Sequence, residues 1–494
     1  MRLHCAVSSR IDYSRMHTFF TVDLGATSGR TVLARLEDGR MTLTEFSRFE
    51  NPILPISGHW FWNLPHLYNE ILKALGRVAQ EGIEIESIGI DTWGCDFSLF
   101  GSDGQLLGLP YSYRDPHTDG AQPLFFGKMP SRELYDRTGI QFMNFNSVFQ
   151  LDTLRRNGCR ALDIADKILF TPDALTYMLT GEAVCEYTIA STSQLVDVRK
   201  RDLDPEILSI LGLRRGQFGR LVQPGTIVGT ISPQVQKATG LGPVPVIAVA
   251  GHDTASAVAA VPARDRNFAY LSCGTWSLLG IEASEPVVSE ESFTLNFTNE
   301  GGIDGKIRFL KNICGLWIFE QSRKEFKGVP TDVVSLVKSA ETSSCRALID
   351  PDAPVFSHPE SMTQAIREYC RATGQEAPET PADYCRCIFR SLAIRCAQMI
   401  SCLRTFSDHP IDVLHVIGGG SRNAYLMQQI SNAARIPVIC GPVEGTAMGN
   451  ALLQARAAGV LDTDIREVSA ASTEVRRFTP EEDGEMEEDL RRGL

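Results

Sequence analysis

One short device occurs twice in this chain, and it constrains the fold more than any other feature. Near the start, a strand-like run ends in Val22-Asp23-Leu24-Gly25-Ala26-Thr27-Ser28-Gly29-Arg30. Past the midpoint, a second run ends in Ser272-Cys273-Gly274-Thr275-Trp276-Ser277. Gly25 aligns with Gly274 and Ser28 with Ser277, both at an offset of 249 residues. A strand that reverses at a glycine can aim several backbone N–H groups at one point. The chain has 494 residues, more than one hydrophobic core usually serves. Two such hairpins in that length are what a duplicated pair of domains would show. The boundary is expected near 261–266, giving domains over 18–262 and 263–494 with a hinge between them.

The elements around each turn follow from periodicity. Residues 19–23, 30–36 and 41–49 predict strands, with a hairpin at Glu37-Asp38-Gly39. Leu67, Ile71, Leu75 and Val78 share one helical face over 64–80. Residues 85–91 predict a buried strand, with 97–100 as its hairpin partner across Trp93-Gly94. Later strands are expected at 244–250, 269–272, 276–281, 411–417 and 437–440, and helices at 423–434 and 444–458. Strands alternating with helices predict an α/β class.

Composition removes several functions. The formal net charge is −12, which disfavours a broad basic surface for nucleic acid. An acidic protein still binds an anionic nucleotide locally, through backbone N–H groups and a metal ion. No apolar run approaches the width of a bilayer. Thirteen scattered cysteines, an odd number, predict reduced thiols in a cytoplasmic protein. Residues 1–17 are expected to form an N-terminal extension, disordered or preceding a true start at Met16.

Four segments carry chemistry. In the first turn, Gly25 and Gly29 allow a tight reversal and Thr27 and Ser28 add hydroxyls. Asp23, at the strand end, suits the water shell of Mg²⁺. The second turn offers another hydroxyl-rich glycine hairpin, so that two turns facing each other would grip a phosphate from both sides. The third segment is Gly418-Gly419-Gly420. It fails the dinucleotide fingerprint, because the third glycine position holds Asn423. A glycine turn lying flat against an adenine or ribose suits it better, with Gly419 at the centre. The fourth is Gly251-His252-Asp253-Thr254-Ala255, directly after an apolar strand. Asp253 there is placed either to take a proton from a hydroxyl nucleophile or to cap the following helix.

Further blocks join these in a set order: Gly89-Ile90-Asp91-Thr92-Trp93-Gly94, Tyr113-Arg114-Asp115, Thr138-Gly139-Ile140-Gln141, Thr298-Asn299-Glu300-Gly301-Gly302 and Lys311-Asn312-Ile313-Cys314-Gly315-Leu316-Trp317. In order and spacing the chain resembles the FGGY carbohydrate kinases, from about residue 19 to 458. Within that family it is most similar to members acting on L-rhamnulose. The resemblance implies two actin-like ATPase (ribonuclease H-like) domains with a nucleotide and sugar cleft between them. It implies ATP and Mg²⁺, with Ala26, Thr27, Ser28, Gly29 and Arg30 along the phosphates and Thr275 and Gly419 also touching nucleotide. Gly94, His252, Asp253, Thr254 and Asn312 would hold the sugar, with Asp253 the proton acceptor. Glu320 stands where the family typically has Gln near the nucleotide. A carboxylate there repels phosphate unless it faces the ribose, the base or solvent. The methyl group of a deoxysugar would need an apolar contact, for which Trp93 and Phe97 are the candidates. A different ketose such as L-fuculose, or a non-catalytic actin-like nucleotide binder, are the alternatives.

Overall fold

Phe19, Phe20 and Val22 are all buried, though consecutive strand residues point to opposite faces. β1 (His17–Leu24) therefore lies inside its sheet with both faces covered. The computed structural model describes residues 16–494 except 329, 358 and 462. The expected N-terminal extension lies outside the described residues, apart from Met16 and His17, and His17 already opens β1.

β1 reverses at Gly25 into β2 (Ser28–Glu37), which pairs antiparallel with β3 (Arg40–Glu50). Asp38 and Gly39 both take positive φ, 49° and 71°, as a tight two-residue hairpin requires. α1 (Leu64–Gln80) matches its apolar period. Asn63 accepts a hydrogen bond from the His66 N–H, Pro65 sits in the first turn, and Leu67, Ile71, Leu75 and Val78 are buried. β4 (Ser87–Thr92) runs parallel to β1. β5 (Thr226–Thr230) is the antiparallel edge beside β6 (Pro245–Ala248), which is parallel to β4. The sheet order is β5-β6-β4-β1-β2-β3.

The expected hairpin of 85–91 with 97–100 does not form. Residues 97–100 instead pair antiparallel with 167–170. Between them the chain leaves the sheet, with Cys95 at φ 70°. The buried Asp96 carboxylate accepts hydrogen bonds from Trp62 Nε1, Trp93 Nε1, the Tyr113 N–H and Gln150 Nε2, at 2.5–3.1 Å. That gathering of donors draws residues 93–96 away from β4. Burial pushes the Asp96 carboxyl up to about 6.

α2 (Asp253–Ala259) then leads to the second sheet. Its strands are β7 (Phe268–Cys273), β8 (Trp276–Ala283), β9 (Thr298–Gly301), β10 (Ile307–Cys314), β11 (Val413–Ile417), β12 (Val438–Cys440) and β13 (Arg476–Phe478), in the order β9-β10-β8-β7-β11-β12-β13. β10-β8-β7 are antiparallel, β11 and β12 are parallel to β7, and β13 is an antiparallel edge. This repeats β3-β2-β1-β4-β6-β5, with β9 added. The two glycine hairpins thus occupy the same place in two sheets of one topology. Around the second sheet lie α3 (Trp317–Glu325), α4 (Pro381–Phe406) and α5 (Ala424–Ala434).

α6 (Gly445–Ala457) follows β12 as α2 follows β6, and it crosses back to pack on α2, β1 and β4. A Cβ on Gly449 would fall 1.8 Å from the Ser256 carbonyl oxygen, so only glycine permits this helix contact. Polar groups complete the seat. Asn450 Nδ2 donates to Asp91 at 2.6 Å, and Ser87 Oγ donates to Gln454 Oε1 at 2.8 Å. The twelve described cysteines carry free thiols, and no helix among the described residues is long and apolar enough to cross a membrane.

Candidate active site

The turn at the end of β6 is pinned from below. Gly251 N–H donates to Glu186 Oε2 at 2.9 Å, its carbonyl accepts from the Thr92 N–H at 2.9 Å, and His252 N–H donates to Thr188 Oγ1 at 3.2 Å. A Cβ on Gly251 would stand 2.9 Å from Glu186 Oε2. Burial pushes the Glu186 carboxyl above its ordinary value, although several N–H and O–H donors pull the other way. Asp253 is the first residue of α2 rather than its cap, a place taken by His252. Its Oδ1 accepts from Thr254 Oγ1 at 3.0 Å. Among the described residues no donor is bonded to Oδ2, and the side chain is 32% exposed. A carboxylate with one oxygen tied and one open, at the carboxyl end of parallel strands, faces the crevice where such sheets take ligands.

That crevice is a cavity of about 380 Å³ between the two halves. The first half contributes Ala26, Gly94, His252, Asp253 and Thr254; the second contributes Asn312 and Gly419. Asn312 Nδ2 donates to Gln141 Oε1 at 2.9 Å, which sets its amide across the gap. A Cβ on Gly94 would lie 3.0 Å from Thr192 Oγ1, a tight contact that Thr192 would have to relieve. Of the three glycines at 418–420, the outer two press on Cys273, whereas Gly419 has free space before it.

The other anticipated residues sit outside the cavity lining. Thr27 and Thr275 are exposed at their turns. Ser28 accepts the Gly25 N–H through its carbonyl at 2.9 Å. Gly29 is buried in β2, where a Cβ would collide with Phe49. Arg30 donates from Nε and Nη2 to Asp23 Oδ2 at 2.9 and 2.7 Å, and from Nη1 to Glu444. Burial pushes the Asp23 carboxyl above its ordinary value, and Arg30 pulls against that. Asp91 is buried beside it, with Oδ1 lacking a hydrogen-bond partner among the described residues. Burial, and then the Asp23 charge, hold the Asp91 carboxyl well above the usual range. The unpartnered Asp91 Oδ1 and the neighbouring Asp23 carboxylate are hard oxygen donors of the kind that Mg²⁺ takes. No group of three or more acidic, His or Cys side chains is placed to hold an ion among the described residues. Mg²⁺ would fill its shell with phosphate and water oxygens, as it ordinarily does.

Residues 18–260 match the N-terminal domain of the FGGY family of carbohydrate kinases, and residues 269–458 match its C-terminal domain. The chain belongs to this FGGY family. It is 54% identical to a rhamnulokinase of Bacteroides thetaiotaomicron over 470 residues, 94% of this chain and 96% of that one. It is 42% identical to a rhamnulokinase of Pectobacterium atrosepticum over 467 residues, 93% and 92% of the two chains. Among solved structures, the fold is shared with a gluconate kinase from Lactobacillus acidophilus (TM-score 0.81, 16% identity, 97% and 96% covered). It is also shared with Plasmodium falciparum glycerol kinase with ADP (TM-score 0.76, 16% identity, 97% and 98% covered). As an FGGY carbohydrate kinase the protein uses ATP as phosphoryl donor.

The two apolar candidates for a sugar methyl stand in different places. Phe97 lines a different, apolar cavity in the first half, so it is not available to a sugar methyl. Trp93 lines the cleft but is 5% exposed, with its ring 4.3 Å from that of Trp62. Ile140, Met143, Phe145, Trp276 and Leu278 line the cleft with it. Trp276 is 54% exposed. It shares a face of β8 with Leu278, which lies opposite Asn312 on β10. Glu320 lies one turn into α3, whose start is tied to the second turn by the Leu316 N–H on the Gly274 carbonyl at 2.8 Å. Arg323 Nε donates to Glu320 at 2.6 Å, so this carboxylate carries its own counter-charge.

Proposed function

We propose that the protein transfers the γ-phosphoryl group of ATP to the primary hydroxyl of L-rhamnulose, giving ADP and L-rhamnulose 1-phosphate. The observation that carries this reading is the single cleft in which Asp253, His252 and Gly94 of one half meet Asn312 and Gly419 of the other. The names of the relatives that match over most of the chain give the sugar.

In this reading Asp253 Oδ2 accepts the hydroxyl proton as the oxygen attacks phosphorus, while Thr254 holds Oδ1. His252, Thr254 and Asn312 bind the sugar hydroxyls, and Gly94 lets it approach closely. The apolar wall of Met143, Phe145 and Trp276 takes the methyl group. A hydroxymethyl there would bury an unpaired hydroxyl, which is costly. Ala26, Thr27, Ser28, Gly29 and Arg30 face the phosphates from the first turn, with Thr275 and Gly419 opposite and Glu320 towards the nucleotide. Mg²⁺, bound with ATP, offsets charge on the phosphate oxygens; Asp23 and Asp91 would hold it, directly or through water. The two domains, divided near 262, close on the sugar and exclude water, which otherwise competes as acceptor.

The test is a panel of ketoses in an ADP-coupled assay at saturating Mg-ATP. L-Rhamnulose should give the highest kcat/KM. Turnover of ATP that ignores every ketose would refute the reading.

A further inference from the structure

His252 belongs to the first half of the molecule, but its ring is held from the second. Glu300 lies on β9 and Arg308 on β10. Arg308 is fully buried; its Nε donates to the Gly301 carbonyl at 2.8 Å and its Nη2 to Glu300 Oε2 at 2.9 Å. The same Nη2 stands 3.1 Å from His252 Nδ1, and Glu300 Oε2 stands 3.2 Å from it. On the other side of the ring, Nε2 lies 3.5 Å from Asp253 Oδ1. Burial pushes the Glu300 carboxyl up, but Arg308 and His252 outweigh it and hold the group below its ordinary value.

These contacts restrict where the imidazole protons sit. If Nδ1 is bare, it accepts from Arg308, and the ring proton is on Nε2 facing Asp253. If Nδ1 carries a proton and donates to Glu300, a neutral ring turns a lone pair towards the Asp253 carboxylate, which repels it. A second proton on Nε2 relieves that repulsion. Both arrangements free of this clash place a hydrogen on Nε2, directed at Asp253.

We infer that Glu300 and Arg308 are positioning residues for the phosphoryl transfer. From the second half they fix His252 with Nε2–H towards Asp253 and the sugar hydroxyl beside it. Alignment of the base then depends on the register of the two halves. This rests on Asp253 being the base.

The experiment uses the full-length protein labelled with ¹⁵N-histidine, with the His252 signals assigned by their loss in His252→Asn, and the kinetics of Glu300→Gln and Arg308→Lys. The unaltered protein should show the His252 proton on Nε2. Each variant should lose about 10- to 100-fold in kcat/KM for L-rhamnulose, as loss of a hydrogen bond to a charged group typically does, while KM for ATP stays within about twofold. A ring with Nε2 bare overturns the inference, even if neither variant folds. So do folded variants with sugar kinetics within about twofold of the parent. Equal losses for ATP and sugar together with a lowered Tm would also overturn it, since that is what a merely structural ion pair predicts. Asp253→Asn is assayed in parallel. Parental turnover there removes the base assignment itself, whereas an inactive Asp253→Asn beside a fully active Glu300→Gln removes only the role of Glu300 and Arg308.

Discussion

The two glycine hairpins share their place in two matching sheets and differ in almost everything they carry. The first is framed by Asp23 and Arg30, which are bonded to each other, and Arg30 reaches on to Glu444 in the other half. The second has no ionised side chain between Ser272 and Ser277; it presents Thr275 and a largely exposed Trp276. Around the first turn lie the acids Asp23, Asp91 and Asp253; around the second lie glycines packed backbone to backbone, with Gly315 against the Gly274 carbonyl and Gly420 against Cys273. One fold unit used twice therefore carries charge at one turn and neutral groups at the other. The duplicated backbone sets where each turn stands, and the side chains that differ set what each turn offers.

Substitutions at or beside the charged turn should accordingly cost more activity than those at the neutral one. The largest effect is expected for Asp253→Asn, with kcat reduced about 10²- to 10⁴-fold while ATP still binds, as followed by nucleotide titration. A kcat within a few-fold of the parent would remove the base from beside this turn. Next is Arg30→Gln, which strips Asp23 and Glu444 of their shared cation. It should lower kcat/KM for ATP about 10- to 100-fold, the usual worth of a charge-assisted hydrogen bond. Its counterpart Thr275→Val should cost about tenfold or less, and equal losses for the two would erase the contrast. Gly449→Ala probes the joint between the halves. Its Cβ meets the Ser256 carbonyl, so calorimetry should show a loss of about 1–3 kcal/mol. An unchanged Tm would mean that α2 and α6 part without cost. The last test concerns the sugar itself, where L-rhamnulose should exceed L-fuculose by at least about tenfold in kcat/KM, since the wrong epimer leaves a polar partner unpaired. Equal values would overturn the choice of L-rhamnulose and leave the kinase class intact.

Local signals made much of the fold legible. α1 appears over its expected span because Asn63, Pro65 and an apolar face every three to four residues all agree. Both hairpins were found from glycine at the end of a strand. The pairing of 97–100 was missed because adjacency favours a hairpin, whereas four donors converging on Asp96 come from residues 62, 93, 113 and 150. Such a convergence has no local trace. At the cleft the glycine-rich blocks are legible; Glu300 falls inside one of them, 298–302, with nothing to mark its own role, and Arg308 falls in none. A charge in a strand ordinarily marks a solvated face, and only the fold reveals that these two are buried against His252. Trp276 carries no such mark in the sequence either, because exposure of a ring cannot be read before the sheets are assembled.

The seat of α6 has a consequence for how the chain is made. Gln454 Nε2 donates to Thr21 Oγ1 at 3.3 Å, a contact that spans 433 positions of sequence. α6 also covers β1 and β4 on the face where Asp91 is buried. During synthesis the N-terminus emerges first, so the first sheet must wait with that face uncovered until more than nine-tenths of the chain has been translated. The earliest strand is thus among the last to have its surroundings completed. Pulse-labelled nascent chains stalled before residue 445 should remain sensitive to proteolysis in the first sheet, and chains released beyond residue 457 should not.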